Sequence, residues 1–144
     1  MKEVIAMHGW SGDQNTWSRW LHFFNQNGWE WQSAERGYGE LEPFIPSWKS
    51  QSDTKTSLDQ RVIIGHSLGP HLLPKAILES ATHLVFLCSF SSFITSEEES
   101  RSFRVALQGM QSQIGTKNEN QMLHNFLKKA CEPNDITSMP AGPI

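Results

Sequence analysis

Two short stretches of this 144-residue chain hold residue types that can do chemistry together. The first is Gly65-His66-Ser67-Leu68-Gly69, a Gly-x-Ser-x-Gly pattern between the apolar run Arg61-Val62-Ile63-Ile64 and a segment with helical spacing. On such a strand-to-helix turn the serine is held in a strained backbone conformation. The flanking glycines keep side chains out of the way, and the hydroxyl stands above the sheet as a nucleophile. A helix N-terminus behind it offers N–H groups and a positive dipole end to a developing oxyanion. The second stretch is His8-Gly9-Trp10, directly after the β-prone run Val4-Ile5-Ala6-Met7. A loop in that place supplies the other backbone N–H of an oxyanion hole when the two strands end side by side.

The elements that must position these stretches are legible in outline. Asp13 to Asn27 carries Trp17, Trp20, Leu21 and Phe24 at three- and four-residue spacing, with Asp13 as N-cap and Gly28 as stop, and is predicted as an amphipathic helix. Trp29 to Gln32 alternates like a strand and is broken by Arg36-Gly37-Tyr38-Gly39. Glu40 to Asp59 keeps no period and reads as a long excursion. Leu68 to Glu79 has helical spacing, with Pro70 in its first turn and a kink expected at Pro74. Leu84 to Leu87 reads as a parallel strand covered on both faces, and helices are expected near Glu97–Gln113 and Asn118–Ala130. Alternating strands and helices make this an α/β fold with a parallel sheet.

With those residues in hand, the chain resembles the α/β-hydrolase superfamily through His8-Gly9-Trp10-Ser11-Gly12, the glycine turn Arg36–Gly39 and the elbow Gly65–Gly69. Within it, His-Gly-Trp followed by Trp17, Gly-x-Ser-Leu-Gly, and an insertion opening on Ser91-Ser92-Phe93 look like the pimeloyl-[acyl-carrier protein] methyl ester esterases of biotin synthesis. The resemblance implies residues 1–94 as the N-terminal part of a hydrolase core, about four strands, and 95–144 as a helical cap or lid, with the family's C-terminal strands lacking. It implies Ser67 as nucleophile and the backbone N–H groups of Trp10 and Leu68 as oxyanion hole. The Trp10 ring would wall an acyl pocket, and Met110 and Ile114 would line an acyl channel or simply pack helix on helix. It also implies a general carboxylesterase or thioesterase as the alternative on the same scaffold, since the elbow does not encode the leaving group. A non-catalytic acyl-binding module is the reading from another class. Arg101, Arg104, Lys128 and Lys129 would meet an acidic acyl-carrier protein or form an ordinary solvated face, with Glu97 pairing Arg101.

A serine needs an imidazole to take its proton and a carboxylate to orient that imidazole, and this family sets them in the order Ser, Asp, His. After Ser67 the only Asp is Asp135, and no histidine follows it. His71 lies one turn past the serine and is the nearest alternative base. His83 begins a strand at its far end, His124 falls in the cap, and His8 and His66 are expected to serve local packing or hydrogen bonding. The expectation is therefore an incomplete hydrolase, a piece of a longer protein whose acid and histidine lie beyond Ile144. Composition narrows the rest. The 12 Lys and Arg against 15 Asp and Glu leave a charge of −3, with no basic excess for a nucleic-acid backbone. Leu84–Cys88, the longest apolar stretch, is far short of a membrane span, and Met1–Gly9 lacks a signal peptide's core, so the expected location is cytoplasmic. Cys88 and Cys131 fit neither a disulfide framework nor a zinc site, and no metal or organic cofactor is expected.

Overall fold

A computed structural model describes residues 1–49, 59–94 and 100–135. Four strands, β1 (Lys2–Met7), β2 (Glu30–Ala34), β3 (Gln60–His66) and β4 (His83–Leu87), form one all-parallel sheet in the order β2-β1-β3-β4. The protein is of the α/β class. Ile5 stands level with Gln32 on one side and Ile63 on the other, and Ile63 in turn with Leu84.

Strand periodicity builds a core on each face. Ile5, Met7, Ala34, Ile63 and Leu73 pack on one side, where Ile77 and Leu78 cover them. Val4, Ala6, Ile64 and Trp17 pack on the other, against Phe24, Trp29 and Trp31. Val4, Ile5, Ala6 and Ile63 are wholly buried, and each of the larger side chains contributes about 1.5–3 kcal/mol by leaving water.

The first helical segment opens as a 3-10 turn, Gln14–Trp17, before α1 (Ser18–Gln26). Asp13 caps it by accepting from the Asn15 N–H at 2.7 Å, and Gly28 ends it at φ 74°. The segment after the elbow is broken rather than kinked. α2 (Gly69–Leu72) and α3 (Lys75–Glu79) are separated by Leu73 in an extended conformation, because a residue before proline is driven out of the helical region. β4 also departs from expectation. It is the outer strand of the described sheet, and Leu84, Val85 and Phe86 are exposed on both faces instead of covered.

The chain divides into two compact units, one of residues 1–90 and one beginning at Ser91. In the second, α4 (Arg101–Gln111) and α5 (Glu119–Cys131) take up most of the described residues, and α5 buries Met122, Leu123, Leu127 and Cys131 at helical spacing. Among the described residues no helix is long and apolar enough to cross a membrane. The expected pairing of Glu97 with Arg101 lies outside the described residues.

Candidate functional site

Strand order locates the site before any side chain is considered. From β1 the chain turns to β2 on one side, and from β3 to β4 on the other, so the loops leaving β1 and β3 part in opposite directions. In parallel sheets this divergence opens a crevice at the carboxyl ends of the two strands, the usual place for a ligand. The loop after β1 is His8–Asp13 and the one after β3 is Ser67-Leu68.

Ser67 has φ 51°, left-handed for a non-glycine, and sits between the end of β3 and α2. Its backbone is tied on both sides. The Ser67 N–H donates to Leu87 O at 2.9 Å, and Ser89 Oγ donates to Ser67 O at 2.7 Å. The glycines around it are required by close approach: a Cβ on Gly65 would collide with the Pro70 ring, and one on Gly69 with the Met7 carbonyl oxygen. Across the crevice, a Cβ on Gly9 would stand 2.9 Å from Ser67 Cβ, so the Gly9-Trp10 backbone and the serine adjoin. Trp10 and Leu68 are both half-buried. α2 is a single turn, too short to sum the peptide dipoles expected of a helix, so it offers individual N–H groups rather than a helix dipole.

Behind the crevice lies a polar cluster. His8 and Glu35 are buried, with His8 Nε2 3.0 Å from Glu35 Oε1 and His8 Nδ1 2.9 Å from Gly9 O. The same carboxylate accepts from the Gly37 N–H at 2.8 Å and the Gln14 N–H at 2.9 Å. Local hydrogen bonding was the expectation for His8; Glu35 escapes sequence reasoning, since a lone acid ahead of a glycine turn reads as solvated. Its only signal is the position at the end of a strand that pairs with β1. Burial, reinforced by the neighbouring His8, holds the His66 imidazole below its usual range. Ser11, φ 55°, is buried and its hydroxyl has no partner among the described residues.

The other sequence candidates are dispersed. His71 is exposed, stacked on Phe90 and bonded to the Phe90 carbonyl oxygen at 2.8 Å. Among the described residues no imidazole hydrogen-bonds the Ser67 hydroxyl. Met110 is half-buried on α4, whereas Ile114 is exposed in the turn beyond the helix, so the two do not share a helical stripe. Arg101 and Arg104 lie exposed on α4, Lys128 and Lys129 exposed in the last turn of α5. A cavity of about 220 Å³ at the carboxyl ends of β1 and β2 is walled by Met7, Ala34, Arg36, Phe44, Ile45 and Leu73, without Ser67. Compared with known proteins, the chain matches no family model, no curated protein and no solved structure.

Proposed function

We propose that this chain carries the nucleophilic part of a serine esterase site acting on acyl esters. Ser67 Oγ bonds to the ester carbonyl carbon, the carbonyl oxygen becomes an oxyanion held by the Trp10 and Leu68 amides, and the C–O bond to the leaving alcohol breaks. The serine proton passes to that alcohol, and water then releases the acid from the acyl-enzyme. The observation that carries this reading is the left-handed Ser67 at the point where the loops of β1 and β3 part, with Gly9 against its Cβ. The resemblance to the pimeloyl-[acyl-carrier protein] methyl ester esterases supplies the substrate class, a methyl ester of a carrier-borne acyl chain. The exposed cations of α4 and α5 suit an acidic carrier, and the location would be the cytoplasm. The reaction draws on no metal or organic cofactor.

One observation favours a second reading, an acyl-binding module without turnover. His8 is committed to Glu35 and Gly9, and His71 to Phe90. A fluorophosphonate probe followed by intact-mass analysis separates the two. The esterase reading expects one adduct, located on Ser67 and lost in Ser67→Ala; acyl-ligand binding with no adduct supports the module instead.

A further inference from the structure

We propose that Glu35 is the positioning residue of the candidate site: acting through His8, its carboxylate fixes the direction of the Trp10 amide beside Ser67. The role of the amide rests on the esterase reading of Ser67, whereas the clamp on the loop stands on its own.

The loop from Gly9 to Asp13 must present a backbone N–H in one direction, and a glycine-bounded loop does not hold a direction unaided. Glu35 reaches it from the end of β2. One carboxylate oxygen meets His8 Nε2 at 3.0 Å and the Gly37 N–H at 2.8 Å; the other accepts from the Gln14 N–H at 2.9 Å. His8 opens the loop after β1 and Gln14 is the residue that follows it, so a single side chain holds both ends.

The link from His8 inward is more telling. His8 Nδ1 donates to Gly9 O at 2.9 Å, and Gly9 O belongs to the same planar peptide unit as the Trp10 N–H. Because C=O and N–H point oppositely across a trans peptide, holding the oxygen toward His8 aims the Trp10 N–H the other way. Nδ1 donates only if it carries a hydrogen, and its partner there, the Gly9 carbonyl oxygen, can only accept. The Arg36 N–H, 3.3 Å from Nε2, can donate only to a bare Nε2, which leaves a neutral ring's hydrogen on Nδ1. The Gly12 N–H also donates to Gly9 O, at 3.2 Å, which closes the loop on the same atom. Without Glu35 the ring loses the Nε2 contact that sets its orientation, so Nδ1 is no longer held on Gly9 O and the peptide is released to turn.

The control is Glu3, another buried carboxylate, which accepts from the Lys49 N–H at 2.7 Å near the opposite end of β1. In Glu35→Gln the rate constant of phosphonate attachment to Ser67 is expected to fall about ten- to hundredfold with probe affinity unchanged, in line with a misaimed oxyanion donor. Amide exchange across Gly9–Gln14 is expected to accelerate. Glu3→Gln changes neither. Gln14→Pro removes only the far attachment, at the first helical position, after an extended Asp13, where proline is tolerated. It should give a few-fold rate loss, and it serves if Glu35→Gln does not fold. Unchanged attachment and exchange in the Glu35 and Gln14 variants, or equal losses in Glu3→Gln, would overturn the clamp. If the unmodified chain takes no adduct at all, the esterase reading fails, and the exchange of Gly9–Gln14 alone decides the clamp.

Discussion

β3 and β4 are adjacent parallel strands of similar apolar sequence, and they have different fates. Ile63 and Ile64 in β3 are buried on opposite faces, while Leu84, Val85 and Phe86 in β4 are 49%, 39% and 55% exposed. Yet both strands end alike, on a non-glycine residue in the left-handed region: Ser67 at φ 51° and Cys88 at φ 49°. Apolar β-branched sequence therefore specifies a strand, and the position in the sheet decides what the strand contributes. Strain at the carboxyl end is common to both, and only β3 adds a loop from β1 pressed against the strained residue.

The largest expected effect tests the difference in burial. Ile63→Ala should cost about 2–5 kcal/mol in denaturant unfolding, the usual penalty for emptying a closed core site. Phe86→Ala should cost about 1 kcal/mol or less, because half its surface already meets water. Equal losses would mean that β4 is covered in solution and the contrast is lost. Next comes the shared strain. Ser67→Gly and Cys88→Gly each relieve a left-handed side chain, offset in part by the entropy glycine adds to the unfolded chain, so each should stabilise by about 0.5–1 kcal/mol. A gain at Cys88 with a loss at Ser67 would show the serine side chain making contacts that outweigh its strain.

The smallest effect is in pH dependence, and it is confined to β3. The His66 imidazole is held below its usual range by burial and by His8. As pH falls through the ordinary imidazole range the unfolded chain takes up a proton before the folded one, so stability present above that range is lost on acidification. His66→Gln should flatten that part of the curve of melting temperature against pH. A profile identical in the two proteins would remove His66 as its source.

Much of this could be read from residue order. Val4–Met7 and Val62–Ile64 announce strands, Asp13 and Gly28 bound the first helix at both ends, and the glycines of Gly65–Gly69 announce a turn that tolerates no Cβ. Each of these signals is local, carried by side-chain branching, capping or steric volume within a few residues. The split at Leu73 was half legible: Pro74 marked the place, but whether a helix bends or breaks depends on the packing of the residue before it, and Leu73 is buried against β1 and β3. Ile114 missed the stripe of Met110 because α4 stops at Gln111, a boundary that four-residue spacing does not encode.

The sequence by itself determined the strands, the turn at Ser67 and the glycine-lined loop after β1, since these follow from backbone sterics and near-neighbour chemistry. Only the tertiary structure decided that β1 and β3 lie side by side with their loops parting between them, that β4 is the outer described strand, and that Glu35 meets His8. Those relations join residues tens of positions apart. They depend on the order in which parallel strands pair, which the burial of whole faces selects and no single segment records.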